Sequence, residues 1–549
     1  MGVAGRCPTT PAMPTITIDG QTIEAPAGAM LLPVALENGV HIPHYCWHPK
    51  LSIDGSCRMC QVEVEGSPKL VIACNMPIRD GMVVRTTTPA VQNARRGVME
   101  LLLVNHPLDC PICDKAGECL LQDYSFAYGS RQTRTREPRR KLEKRKDIGP
   151  RMILDQERCI LCRRCVRFCR EITKTNELGV FDMGDRSRLD VLDGTPLAND
   201  YSICTADVCP VGALESKDFH HRLRVWFLTK TPSVCPSCSN GCNITVHHYR
   251  DRIWRLMPRR NDAVNDTWMC DHGRLNYQWV NDAHRLRQPL LQRDGKLEPC
   301  DWDEAISTAA RRLHRIAAAT GGQGIGAVAS PHLTNEEHFR FAQVLQALGV
   351  TSVDVALVTG GSDDFLIKAE KAANVRGARD MGLRAAANGV GLPALLEAAA
   401  DGRLRALYVC GPDLWETAER SLLTRAIERL ECLIVQDITR SPLAERAHVV
   451  LQALTFAEKS GTFTNGTGRV QWLQRAIEPP DGQPSDGEIF SRLLSQLGEA
   501  RWSFAPESVL AEIAAAVPAY AGLTSACIGA LGYQLPDASA AASSGADSH

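Results

Sequence analysis

Four groups of closely spaced cysteines, all in the front half of the chain, constrain the possible folds more than any other feature. Of the 22 cysteines in 549 residues, only Cys300, Cys410, Cys432 and Cys527 lie beyond Cys270. The N-terminal stretch MGVAGRCPTTPAMPT has no apolar core of signal-peptide length, so export is not expected, and Met13 is an alternative start. In an unexported chain disulfides are disfavoured, and clustered cysteines point to metal.

The first group is Cys46, Cys57, Cys60 and Cys74, spaced C-x10-C-x2-C-x13-C. A binuclear iron–sulfur centre needs four thiolates around an anionic core, and loop cysteines let backbone amides turn toward the sulfurs. IDGSCRMC is a small-residue loop suited to this. The alternating TITIDG before it, ending in Asp19-Gly20 and followed by QTIEAPAG, predicts a hairpin. A four-cysteine zinc site is the alternative.

The second group is His106, Cys110, Cys113 and Cys119. Val91, Ala94, Val98, Leu101 and Leu102 recur at helical spacing, and Pro107 is expected to stop that helix with His106 at its end. Neutral imidazole is a good donor to iron or zinc, and replacing one thiolate with it raises a cluster's potential. The plainer reading is a helix-capping His beside a three-cysteine site.

Cys159, Cys162 and Cys165, closed by Cys209 in CPVGAL, repeat the cubane-binding pattern of bacterial ferredoxins. Cys169 and Cys204 fall near the places a second cube would use but lack two partners, and read as buried free thiols. The fourth group, Cys235, Cys238, Cys242 and Cys270, fits another 4Fe–4S cube, with structural zinc as the alternative. Four such motifs in series are not a coincidence of composition.

The rest of the chain carries no sign of catalysis. Sixty-two basic against 63 acidic residues leave a net charge of −1, which gives no case for nucleic acid. No apolar run approaches the 18 residues of a membrane span. Segment 131–147, rich in Arg and Lys, reads as a solvated linker, with a docking surface as the alternative. Beyond residue 285, apolar runs (GIGAVAS, RLRALYVCG, LIVQDI) alternate with amphipathic stretches such as WDEAISTAARRLHRIAAA, which predicts α/β units with parallel strands. LPDASAAASSGADSH reads as a disordered tail. There is no G-x-G-x-x-G after a strand, no P-loop and no nucleophile elbow, and VTGGSD and NGTGR read as turns. Redox centres in series without a substrate site describe a relay between partners.

The order of these motifs resembles the large iron–sulfur subunit of NADH:quinone oxidoreductase, respiratory complex I. HIPHYCWHPKLSIDGSCRMCQVEV, NHPLDCPICDKAGECLLQD, RCILCRRCVRFCREI, CPVGALESKDF and CPSCSNGCNI carry it, over roughly residues 14–480. The resemblance implies one 2Fe–2S and three 4Fe–4S clusters on the sixteen residues named above, the second cluster with His106 as a ligand. The Cys235 cluster is found in only some members of the family and is thought to lie off the main electron path.

CDHGRLNYQWVN, DGKLEPCDWDEAI, SPHLTNEEHFRFAQVLQALG and TFAEKSGTFTNGTGRVQ resemble a molybdopterin oxidoreductase domain, here shortened. Likeness of fold does not imply a molybdenum site. Cys300 comes too early to face the metal and Cys410 ends a core strand, so no molybdenum is expected.

The expected architecture is therefore multidomain, α+β and α/β. It comprises a 2Fe–2S ferredoxin-like β-grasp domain (14–92), a His/Cys-ligated segment with the basic linker (93–146) and a 4Fe–4S ferredoxin-like domain (147–228). A four-cysteine segment (229–284), the molybdopterin-oxidoreductase-like domain (285–534) and the tail (535–549) follow. The resemblance implies an FMN/NADH-binding subunit, a small 2Fe–2S subunit and quinone-side hydrophilic subunits as partners. It places the chain on the cytoplasmic side of a bacterial inner membrane, in a proton-translocating complex, with no substrate site of its own. The rival enzyme is the large subunit of an NAD-linked formate dehydrogenase, against which the missing metal-ligand signature and the short back domain weigh. An iron-only hydrogenase lacks its downstream cysteines here, and a zinc-bearing structural protein is the non-redox rival.

Overall fold

The computed structural model describes residues 13–536 apart from 131, 283, 384–390, 412, 413, 499 and 501. The alternative ragged start, residues 1–12, and nearly all of the expected tail lie outside the described residues. The chain divides into two units, Met1–Phe227 and Leu228–His549.

The first unit opens with β1 (Thr15–Ile18), β2 (Gln21–Glu24), α1 (Leu31–Glu37), β3 (Gln61–Val64), β4 (Val71–Ile72) and β5 (Val83–Arg85). Asp19 and Gly20 both take left-handed backbone (φ 46° and 87°), as a two-residue hairpin turn requires, and pair β1 with β2. β1 then runs parallel to β5, giving the mixed order β2-β1-β5-β3-β4. Leu31, Leu32, Val34 and Ala35 of α1 join Ile16, Ile18, Val62 and Val84 in one buried core that also contains Cys60 and Cys74. Each such aliphatic side chain contributes roughly 1.5–3 kcal/mol by burial, so the cysteine loop rests on a rigid base.

Next comes α2 (Pro89–Leu103), with Thr88 accepting from the Val91 amide as N-cap and Pro89 at the first position. The helix ends three residues before His106, not at it. Proline disfavours helical backbone in the residue ahead of it, and here the unwinding reaches back a further turn. α3 (Leu120–Tyr128) follows the Cys119 loop.

Residues 132–147 are mostly exposed, as a solvated linker is, and a few side chains tie them down. Arg140 donates to the Arg186 carbonyl at 2.7 Å and its amide to Asn105 at 3.0 Å. Lys144 reaches Asp109, Asp155 and Glu157 at 2.5, 3.3 and 3.1 Å. Asp155 and Glu157 are buried and need a cation, which the basic run supplies.

The remaining elements of this unit are β6 (Lys146–Asp147), β7 (Met152–Leu154), α4 (Arg164–Glu171), β8 (Leu178–Phe181), β9 (Arg188–Val191), α5 (Cys204–Val208) and β10 (Leu214–Ser216). β10, β7 and β6 form one small antiparallel sheet, and β8 and β9 a hairpin. The two short helices carry or adjoin the third cysteine group. Together these make the expected ferredoxin-like arrangement.

The second unit begins with an antiparallel meander, Thr229–Val234, Asn243–Tyr249 and Arg252–Pro258, that brackets the CPSCSNGC loop. Behind it lies a seven-stranded sheet. Five of its strands, including Ile325–Ala329, Ala406–Cys410 and Cys432–Asp437, are mutually parallel, and an antiparallel hairpin closes one edge. Ala406, Tyr408 and Cys410 point into one core with helix Trp302–Thr320, whereas Leu407 and Val409 point into another with helix Leu392–Ala400. Burial on both faces explains why these strands read as continuous apolar runs.

Candidate metal centres

In the first group the sulfurs converge. Cys46 lies within hydrogen-bonding reach of Cys57 and of Cys74, and Cys74 of Cys60. Hydrogen bonds from Cys57 and Cys74 hold the Cys46 thiol well below its ordinary range, and that from Cys74 lowers Cys60. Main-chain amides of Cys57, Met59 and Cys74 donate to the sulfurs of Cys46, Cys57 and Cys60. Gly55 and Arg58, both with left-handed backbone, make the turn that aims them.

The third group lines a small cavity of about 20 Å³, walled by Cys159, Cys162, Cys165, Cys209, Val180 and Leu189. Leu161 and Arg163, between the cysteines, are left-handed at φ 53° and 58°. The Leu161 amide thereby donates to Cys159 Sγ at 3.4 Å. Burial pushes the Cys162 thiol up to about 12 and Cys165 well above its usual value. Protons held this firmly are released when a metal binds thiolate. Cys169 and Cys204 are buried and not disulfide-bonded.

In the second group, Cys113 and Cys119 are buried and electrostatically coupled, while Cys110 sits exposed on the short turn Cys110–Ile112. Burial lowers the pKa of His106 to about 4, with Arg158 acting in the same direction. The imidazole is therefore neutral at pH 7 and has a lone pair to give. Burial also raises the Cys113 thiol to about 11, opposed by the same Arg158. This group adjoins the third: the Leu120 amide donates to the Pro210 carbonyl at 3.1 Å, and Cys119 senses Cys209. Gly212 is needed there, because a Cβ on it would lie 2.1 Å from Cys113 Sγ.

In the fourth group the Cys235 amide donates to the Cys242 carbonyl at 2.9 Å, closing the loop between two strands. Asn240 and the Gly273 amide donate to Cys242 Sγ and Cys270 Sγ at 3.1 and 3.3 Å. Burial lifts Cys235 to about 12 and Cys270 to about 11.

Two arginines that the sequence does not flag hold these loops. Arg167 Nη2 donates to the carbonyls of Cys46 and Cys162, and Nη1 to that of Ser52. Arg164 donates to the carbonyls of Trp47 and Val208. Both helical arginines are buried and clamp loops of two cysteine groups at once.

Families of known description match in the same order. The 2Fe-2S iron-sulfur cluster binding domain matches residues 12–89, the NADH-ubiquinone oxidoreductase-G iron-sulfur binding region 95–134, and the ferredoxin-like domain of NADH-quinone oxidoreductase subunit 3 149–215. The molybdopterin oxidoreductase Fe4S4 domain matches 228–282, and molybdopterin oxidoreductase 285–363 and 369–496. The NADH-quinone oxidoreductase G-type subunit of Streptomyces coelicolor is 38% identical over 375 residues, covering 67% of this chain and 43% of its own length. That of Rickettsia bellii is 40% identical over 340 residues, covering 62% and 49%. In sequence the chain is similar to the iron–sulfur subunits G of NADH-quinone oxidoreductase. It spans about half the length of these two relatives. A further relative, the NADPH-Fe(3+) oxidoreductase subunit alpha of Geobacter sulfurreducens, is 28% identical and covers 93% of this chain and 84% of its own length.

Proposed function

We propose that the chain is the electron-relay subunit of the peripheral arm of an NADH:quinone oxidoreductase, taking electrons from an FMN-bearing, NADH-oxidising subunit toward quinone. The observation that carries this is the succession of four cysteine groups in the order of the matching iron–sulfur families, each furnished with amide donors. Cys46, Cys57, Cys60 and Cys74 would hold a 2Fe–2S cluster. His106, Cys110, Cys113 and Cys119, then Cys159, Cys162, Cys165 and Cys209, then Cys235, Cys238, Cys242 and Cys270 would each hold a 4Fe–4S cluster. Such clusters supply reversible one-electron storage. The chain's own part is to bury them, aim amides at the sulfurs and keep the loops rigid, which sets their potentials. The domain boundaries expected from the sequence belong to this same proposal.

The back domain is inferred to be a scaffold without molybdenum. Cys410 is fully buried in the sheet, and Cys300 spends its thiol on the Pro289 carbonyl at 3.6 Å. Neither is offered to a metal. No helix among the described residues is long and apolar enough to cross a membrane, which suits a peripheral position on the cytoplasmic face, beside the flavin-bearing, small 2Fe–2S and quinone-side subunits.

Elemental analysis of anaerobically purified protein tests the reading. About 14 iron atoms per chain and no molybdenum are expected from the ligand count. Stoichiometric molybdenum would instead make the back half an active site, and a colourless zinc protein would end the relay reading. Replacing Cys162 with Ala should stop NADH–quinone turnover while leaving reduction of the flavin intact.

The coverage of the Geobacter relative favours a second reading, a relay in an NADPH-linked reductase of ferric iron. The electron acceptor used by the intact assembly separates the two.

A further inference from the structure

Outside the cysteine groups, Asp114, Glu215, His220 and His221 bring one ligand atom each within 4.8 Å of one another. His220 Nδ1 lies 3.3 Å from Asp114 Oδ2 and 3.0 Å from Glu215 Oε2. Both separations are close to those of a zinc site, where donors about 2.0–2.1 Å from the ion stand about 3.3 Å apart. His220 Nδ1 is shielded from solvent and faces both carboxylates at once.

The surroundings are those of a prepared site. Glu215 has its other oxygen, Oε1, held by Arg158 Nη1 at 2.8 Å, which fixes the carboxylate and leaves Oε2 toward the histidines. Asp114 Oδ2 accepts from the His221 amide at 2.7 Å, and the two imidazoles stack with centroids 3.9 Å apart. His221 holds left-handed backbone at φ 56°, a strained position for a non-glycine residue, and this turn sets the two rings side by side. A pocket of about 440 Å³, lined by Ile112, Asp114, Arg145, His221 and Phe227 among others, gives an ion a way in.

We infer that Asp114, Glu215, His220 and His221 form a mononuclear site for a divalent transition ion of the zinc type. Two nitrogens and two oxygens suit zinc better than calcium or magnesium, which prefer all-oxygen shells. Arg145, Arg222 and Arg224 at the pocket oppose any cation, so the ion taken is one that gains strongly from imidazole. The site joins residue 114 to residues 215–221, about a hundred positions apart, and clamps the loop that carries Cys113, whose sulfur lies 3.9 Å from Glu215. Its four side chains are none of the sixteen residues assigned to the clusters.

The test uses the full chain with its native iron, exposed to zinc sulfate and then dialysed against a weak chelator. One zinc per chain should remain, and zinc-edge X-ray absorption should show nitrogen and oxygen at about 2.0–2.1 Å without sulfur at about 2.3 Å. His221→Asn, at an exposed position where Asn tolerates left-handed backbone, should weaken zinc binding at least tenfold with iron content unchanged. No retained zinc, a sulfur shell, or undiminished binding by His221→Asn would each overturn the site. Low iron with an intact zinc signal would count against the cluster reading alone.

Discussion

Arg167 donates to the main-chain oxygen of Cys46 at 2.5 Å, tying the helix of the third cysteine group to the loop of the first. The same nitrogen reaches the Cys162 carbonyl at 3.3 Å. A planar fork holds donors on separate nitrogens at fixed positions, whereas a lysine ammonium gathers its three at one point and cannot span the same carbonyls. Arg167→Lys should therefore cost about 1–3 kcal/mol, measured as a lower thermal midpoint of the iron-loaded protein. It should also perturb the electron paramagnetic resonance signals of two centres together. A change confined to one centre would show that the clamp is not shared.

Gly212 offers a sharper steric test. An alanine methyl there would lie 2.1 Å from Cys113 Sγ, whereas one at Gly273 would meet Cys235 Sγ at 3.0 Å. Gly212→Ala should displace Cys113 and lower iron by about four atoms per chain, the content of one cube. Gly273→Ala should leave most of the iron in place. Iron analysis of the two variants side by side checks both statements.

The cysteine groups were legible in the sequence because most ligand spacing is written locally, in gaps of two to thirteen residues; only Cys209 and Cys270 close their groups from farther off, after 43 and 27 residues. The two-sided sheet was legible for a similar reason: Ala406–Cys410 and Cys432–Asp437 are apolar throughout most of their length. What could not be read depends on distant segments meeting. Arg158 finds Glu215 across 57 positions and Cys113 finds it across 102. Lys459 is buried between Glu337 and Asp486, more than a hundred positions from the first of them, at 2.8 and 3.1 Å. Nor does local sequence show that the basic run 131–147 answers the buried carboxylates of Asp155 and Glu157.

Because burial leaves the His106 imidazole neutral at pH 7, His106→Cys would add a negative charge to the second centre. Its reduction potential should fall, by on the order of 0.1 V, while the other centres keep theirs. A redox titration followed by electron paramagnetic resonance resolves them. An unshifted potential would mean that His106 caps the loop and does not ligate.

The back unit makes a prediction with a definite sign in pH. His338 is fully buried, donates from Nε2 to the Ser330 carbonyl at 2.8 Å, accepts at Nδ1 from Asn374 at 3.4 Å, and has its pKa lowered by burial to about 3. In the unfolded chain the same imidazole titrates near 6.5. Between these values the unfolded state binds the proton and the folded state does not, so stability falls as pH drops below about 6.5. Glu336 works the other way, since burial raises its carboxyl to about 7 and the folded state holds that proton first. The overall profile is thus partly cancelled, and the informative quantity is the difference between wild type and His338→Gln. That difference should shrink by roughly 2 kcal/mol between pH 7.5 and pH 5.0, as wild type loses what the variant never had. Denaturant melts at the two pH values measure it, and a constant difference would show that His338 becomes charged in place.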